Sequence, residues 1–401
     1  MIAHAQRAAP VAACRCLLAL ALALLCGCAA TRPEVPPFYR SDALPATTPP
    51  GTLLRAEPLA DAGAAARAVR ILYTSTGLDG KPRAVSGIVM IPQGAAPAAG
   101  RPVVAWAHPT TGVATWCAPS LRDAVFATVQ GLPDFLARGY VVVATDYPGL
   151  GTSGAHPYLV GISEGRAVLD SVRAARAVQD AAAGTRFAVW GHSQGGQAAL
   201  FAGELAQQYA PELTLAGVAA AAPATDLPSL FRDDIDTPLG RILAAYSFWS
   251  WSRVYDDPLT AAVAADADAP MNEVAAVCAE GLGDALALQF DSRPLQRSFL
   301  IGNPSLVAPW RDIMARNTPG QAPAGAPVFI AQGTADTLVL PAVTQSFARA
   351  LCQRGEKVTL HAMPGVPHNP AGKEAAAAAA AWIAGRFAGT MVADDCASIS
   401  R

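Results

Sequence analysis

The 401 residues carry 29 Lys and Arg against 31 Asp and Glu, a formal net charge of −2, which excludes a nucleic-acid binder held by phosphate contacts. Hydrophobic residues make up 52% and charged residues 15%, but much of the apolar content is alanine and only one long apolar run occurs, so a soluble body is expected rather than a membrane bundle. At ~100–200 residues per domain the length allows two to three domains or one large α/β domain with an insertion, and the composition excludes disordered, collagen-like and coiled-coil chains.

Residues 1–27 place Arg7 and Arg15 ahead of an apolar stretch from Leu17 to Leu25, the layout of a secretory signal. The stretch is too short to span a bilayer. Leu25-Cys26-Gly27-Cys28 resembles a bacterial lipobox, which makes Cys28 the expected lipid-anchor residue, with plain secretion or a periplasmic location as the alternative. Ala29 after the cysteine favours the outer membrane. Residues 28–51 are rich in proline and poor in apolar side chains, and predict a tether, with folded sequence beginning near Thr52.

Valine-rich runs then alternate with amphipathic stretches, the pattern of a mostly parallel sheet flanked by helices. Strands are predicted at 85–91, 102–107, 141–145, 187–190, 216–221, 328–332 and 358–363. Residues 162–182 predict a crossover helix with Val168, Val172, Ala175 and Val178 on one face, and 374–387, with its alanine run before Trp382 and Ile383, predicts a closing helix. Between Asp226 and Ala326 the alternation stops. This segment, with Phe231, Tyr246, Phe248, Trp249, Trp251 and Tyr255, is expected to form a mainly helical cap over the carboxyl ends of the strands. The core then comprises 52–225 and 327–401, with the cap at 226–326. Phe231, Phe248, Trp249 and Trp251 either line an apolar substrate pocket or build the cap's own core.

Residues 187–196 read Phe-Ala-Val-Trp-Gly-His-Ser-Gln-Gly-Gly, a strand entering G-x-S-x-G with helix-forming residues behind it. That context defines a nucleophile elbow at Ser193, where Gly191 and Gly195 must be small for strand and helix to approach. A serine needs an adjacent base oriented by a third group, and on such folds the acid and the histidine follow the serine in that order. Asp336, just past the strand 328–332, is the expected acid and His368, just past the strand 358–363, the expected base. Asp226 is the rival acid. His192 is expected to point away from the serine hydroxyl, His361 lies inside a strand, His156 precedes the crossover helix, and Asp146 stabilises a turn. The oxyanion donors are expected to be the backbone N–H groups of Gln194 and of Thr110, because Pro109 has none, with Thr111 in reserve.

Of the eight cysteines, Cys14, Cys16 and Cys26 leave with the signal, and four remain in the body besides Cys28. In an exported protein they suggest disulfides, with three pairings open. No CxxC pair or Cys/His cluster is present, so neither a metal nor an organic cofactor is expected.

With these residues in place, the chain resembles the secretory lipase family of α/β-hydrolases, typified by fungal enzymes of lipase A type. The similar stretches are 50–54, the block from His108 to Cys117-Ala118-Pro119-Ser120, Asp146-Tyr147-Pro148-Gly149 and 191–196; the departure is Pro109, where many bacterial relatives carry Gly. The resemblance implies a carboxylic ester hydrolase with the triad Ser193, Asp336 and His368. It also implies the disulfides Cys117–Cys278 and Cys352–Cys396, the second worth roughly 4 kcal/mol on the chain-entropy model. The expected partners are an acylglycerol or other apolar ester and a membrane reached through the anchor, with no nucleic acid and a monomeric state. A short-chain or aromatic (aryl, feruloyl or polyester) esterase is the nearest alternative, and a non-catalytic binding lipoprotein the alternative of another class.

Overall fold

The computed structural model describes residues 34–60, 66–259, 262–279, 288, 292–296, 299–391 and 394–399. The expected signal segment, Cys28 and the first residues of the expected tether lie outside them. A nine-stranded sheet organises the body in the order β1-β2-β3-β5-β4-β6-β7-β8-β9. The strands are β1 (Leu53–Leu59), β2 (Ala66–Thr76), β3 (Pro82–Pro92), β4 (Arg101–Ala107), β5 (Val141–Thr145), β6 (Ala183–His192), β7 (Thr214–Ala221), β8 (Val328–Gly333) and β9 (Val358–Met363). From β5 to β9 every pairing is parallel, whereas β1, β2 and β3 join antiparallel at one edge. This is the α/β-hydrolase architecture.

Alternation along each central strand divides two cores. Val103, Ala105, Phe187, Val189, Val328 and Ile330 face one, while Val104, Trp106, Ala188, Trp190, Phe329 and Ala331 face the other. Both faces are apolar because both are covered by helices. On the first face lie α1 (Gly161–Ala177), α2 (Gln194–Tyr209) and α7 (Pro341–Gln353); on the second lies α8 (Ala371–Ala388). The alanines of α8 leave its backbone close to the sheet, and Trp382 packs where a Cβ on Gly217 would come within 2.7 Å of its ring.

Three expectations change. The crossover helix α1 stops at Ala177 rather than Ala182, because Val178 is extended and Asp180 and Ala182 adopt positive φ to turn the chain into β6. Edge strand β1 and its neighbour β2 go unpredicted, since β1 carries Arg55, Glu57 and Pro58 and has no apolar run to mark it, and Arg67 and Arg70 interrupt β2. Residues 34–51 are also less free than a tether. Tyr39 is 1% exposed and hydrogen-bonds Ser120 Oγ at 2.8 Å, while Gly51 N donates to Thr74 O at 2.7 Å.

Between β7 and β8 run α3 (Leu227–Asp234), α4 (Pro238–Val254), α5 (Asp268–Ala275) and α6 (Trp310–Arg316). Their buried side chains, among them Phe248, Trp251, Met271 and Trp310, form a separate cluster that takes in Val113, Tyr158 and Val160 from loops of the main body. Trp251 Nε1 donates to Tyr158 O at 2.8 Å, and Ser250 Oγ donates to His156 O at 2.6 Å. The insertion is thereby fastened to the loop ahead of α1.

Candidate active site

β6 ends at His192 and α2 begins at Gln194, so Ser193 alone makes the turn, at φ 57° and ψ −118°. Such a conformation is costly for a residue with a Cβ and persists only where the surroundings enforce it. They do so here. A Cβ on Gly191 would lie 2.0 Å from Gly195 O, and one on Gly195 would lie 1.9 Å from Ala107 O. Ser193 N donates to Ala221 O at 2.9 Å, tying the turn to the end of β7.

The loop after β8 carries Asp336, which is 2% exposed. Its Oδ1 accepts from the backbone N–H groups of Leu338 and Val339, both at 2.9 Å, and its Oδ2 accepts from Gln332 Nε2 at 3.2 Å. Gln332 Oε1 in turn accepts from Thr344 Oγ1 at 2.7 Å. The loop after β9 brings His368 Nδ1 to 2.8 Å from Asp336 Oδ2 and Nε2 to 2.8 Å from Ser193 Oγ. Because a carboxylate can only accept, Nδ1 carries the proton and Nε2 offers its lone pair to the serine hydroxyl. Three residues from three loops therefore share one rim of the sheet.

The other titratable residues have separate tasks. Asp226 caps α3, accepting from Ser229 N at 3.1 Å and Ser229 Oγ at 2.6 Å. Asp146 joins β3 to the loop at Ser120, accepting from Ser86 Oγ at 2.6 Å and Ser120 N at 2.9 Å. His192 Nε2 donates to the carbonyl of His368 at 3.1 Å, and burial, with His368 nearby, lowers its pKa to about 3. It braces the loop of His368. His361 stacks on Phe329.

Sequence reasoning does not find the cluster behind the nucleophile. Glu164, on the first turn of α1, is fully buried, and its Oε1 accepts from Gln194 Nε2 at 2.7 Å and Leu159 N at 3.0 Å. Desolvation raises its pKa to about 8. His156 Nδ1 donates to Pro148 O at 2.9 Å, which leaves Nε2 to accept from Gln194 Nε2 at 3.2 Å. Burial lowers the pKa of His156 to about 3, so both groups are neutral near pH 7. Gln194, whose backbone follows the serine, is held by two neighbours far upstream. A glutamate on a helix face of small side chains was the available signal.

Thr110, Ser193 and Gln194 line a small cavity whose walls come from Leu227, Leu230, Phe231, Ile235, Leu243 and Val339. It offers about 60 Å³ to the centres of water-sized groups. Thr110 Oγ1 is 2.9 Å from the Tyr158 hydroxyl. A wider groove of about 430 Å³ shares Thr110, Ser193, Leu243 and Leu338 with it and is lined further by Gln130, Tyr246, His368 and Asn369.

Of the four aromatic residues expected at a pocket, only Phe231 lines the cavity. Phe248 and Trp251 are fully buried in the insertion's own cluster, and Trp249 turns outward, donating to Asn272 Oδ1 at 3.1 Å with Arg253 over its ring. Position along α4 explains the correction. The cavity-facing positions of α4 are Gly240, Leu243, Ala244 and Ser247; Trp251 continues that stripe one turn beyond the cavity and Phe248 flanks it, and both pack in the insertion's own cluster. Both disulfides form as the resemblance implied, Cys117–Cys278 and Cys352–Cys396, with Cα separations of 5.3 and 5.4 Å.

Comparison with known proteins places this geometry. The chain is 30% identical over 220 residues to a protein of Mycobacterium tuberculosis named probable inactive lipase MT1628, a match covering 50% of this chain and 48% of that one. It is 30% identical over 215 residues to lipase A of Arthroderma benhamiae, covering 47% and 44%. The chain thus spans less than half the length of either curated relative. In fold it is similar to the crystal structure of Candida antarctica lipase A, with a TM-score of 0.75 at 22% identity over 91% of this chain and 89% of that one. Residues 127–395, which include Ser193, Asp336 and His368, match the secretory lipase family, and the chain belongs to that family.

Proposed function

We propose that the chain is a serine carboxylic ester hydrolase acting through an acyl-enzyme. The observation that carries this is the position of His368, 2.8 Å from Asp336 on one side and 2.8 Å from Ser193 on the other. His368 Nε2 takes the hydroxyl proton as Ser193 Oγ attacks the ester carbonyl, and the backbone N–H groups of Thr110 and Gln194 receive the oxyanion. Collapse breaks the bond to the alcohol, which leaves with the proton from His368. Water, deprotonated by the same imidazole, then attacks the acyl-enzyme and releases the acid. Asp336 keeps the proton on Nδ1 throughout.

The cavity beside Ser193 supports a short acyl group. At about 60 Å³ against about 430 Å³ on the same measure, it is far the smaller of the two spaces that meet at Ser193. The wider groove receives the alcohol, and the helices between β7 and β8 act as the cap over both. Export is in keeping with a secretory family. Anchoring through Cys28 belongs to the proposal, and among the described residues no helix is long and apolar enough to cross a membrane.

Covalent labelling by a fluorophosphonate tests the reading together with a series of nitrophenyl esters of increasing acyl length. Labelling is expected in the native chain and absent in Ser193→Ala, with turnover highest for short acyl groups. An unlabelled native protein would favour the non-catalytic alternative, as the name of the mycobacterial relative suggests for that protein.

A further inference from the structure

One group in the cavity beside Ser193 has no task in the chemistry above. Asp234, the last residue of α3, lines the cavity and is 7% exposed. No described residue donates a hydrogen bond to its carboxyl, and the charges that reach it, Asp233 and Asp336, are of its own sign. Burial and these two neighbours raise its pKa to about 7. It is built in tightly, since a Cβ on Gly240 would come within 2.7 Å of its own Cβ. The rest of the wall is largely aliphatic. A buried carboxyl without a partner is costly, and in a cavity open to substrate the missing partner can come from the ligand.

We propose that Asp234 is a specificity-determining residue that receives a hydroxyl on the acyl part of the substrate, so that the preferred esters are those of short hydroxy acids. This rests on the reading of Ser193 as nucleophile and of the adjoining cavity as the acyl site. The surrounding negative charge excludes an acyl chain ending in a carboxylate. Walls such as Leu230, Ile235 and Leu243 make desolvation of an ammonium dearer than that of a hydroxyl. The cavity's size restricts the hydroxyl to a chain short enough to reach Asp234 from the carbonyl held at Ser193.

A matched set of methyl esters from butanoate to hexanoate, each with and without a hydroxyl at successive carbons, tests this by titration of the released acid. At one hydroxyl position kcat/KM is expected to exceed that of the plain ester by about tenfold or more, the effect of leaving a buried polar group unpaired. Asp234→Leu should abolish or invert that preference and raise kcat/KM for plain esters. Asp234→Asn, which keeps an accepting oxygen and the same volume, should retain part of the preference and covers the case in which the leucine variant does not fold. A native enzyme that favours the plain ester at every position, an ammonium analogue that outperforms every hydroxyl, or an unchanged ratio in both variants overturns the proposal. Failure of the native protein to label with fluorophosphonate would instead overturn the underlying assignment of Ser193.

Discussion

Glu164→Gln separates two consequences of burying a carboxyl behind the nucleophile. Among the described residues Glu164 has no charged partner, because His156, 4.0 Å away, is held neutral. Its pKa rises from 4.5 to about 8 on folding. Between those values the folded chain keeps a proton that the unfolded chain has lost, so stability falls as pH rises, by ~1.4 kcal/mol per pH unit. Across the whole window the loss is at most about 5 kcal/mol. Glutamine has no proton to lose, so Glu164→Gln should match the native protein near pH 5 and become the more stable form by several kcal/mol near pH 8. Urea unfolding of the disulfide-intact chain at both pH values measures the difference. The amide oxygen can still accept from Gln194 Nε2 and Leu159 N, so most turnover should survive. Glu164→Leu, which strips both donors, should lower kcat with little change in KM if the cluster positions Gln194. Parallel pH slopes for native and Glu164→Gln protein would refute the argument that Glu164 is buried neutral.

Three further perturbations follow from the same geometry. Asp336→Asn removes the acceptor that keeps the proton on His368 Nδ1, and kcat for an acyl ester should drop about 10³–10⁴-fold; a loss below tenfold would point to another acid. Gly195→Ala drives a Cβ to 1.9 Å from Ala107 O, more than ordinary overpacking at ~1–3 kcal/mol, so thermal unfolding should reveal severe destabilisation, and a native-like melting temperature would contradict the tight elbow. Replacing both cysteines of a pair should cost up to about 5 kcal/mol for Cys117–Cys278 and about 4 kcal/mol for Cys352–Cys396 on the chain-entropy model, from sequence separations of 161 and 44. Only the first loss should also lower kcat, because Ala279 N donates to Thr111 O at 2.8 Å beside Thr110; equal kinetic effects in denaturation-controlled assays would argue against that coupling.

The strands that carry function were legible because they are buried on both faces, and such strands read as apolar runs whatever their neighbours. Edge strand β1 was not, since half of it faces solvent and only its pairing with β2 defines it. The elbow was equally legible: the steric demand at Gly191 and Gly195 is local, arising within a strand, a turn and a helix that adjoin in sequence. Asp336 and His368 could be placed by chain order because each follows a strand by a few residues, and a parallel sheet delivers such loops to one edge.

Residues 187–196 thus contain within themselves the reason for a strained serine, and the alternation of apolar runs contains the reason for the sheet that presents it. What faces that serine is another matter. Glu164 and His156 reach Gln194 across 30 and 38 residues, Phe248 and Trp251 are taken up by the insertion's own core while Leu243 and Asp234 line the cavity, and nothing in their local sequence distinguishes them. Those assignments depend on how α1, α3 and α4 pack against one another, and packing is a property of surfaces that meet only when the chain has folded.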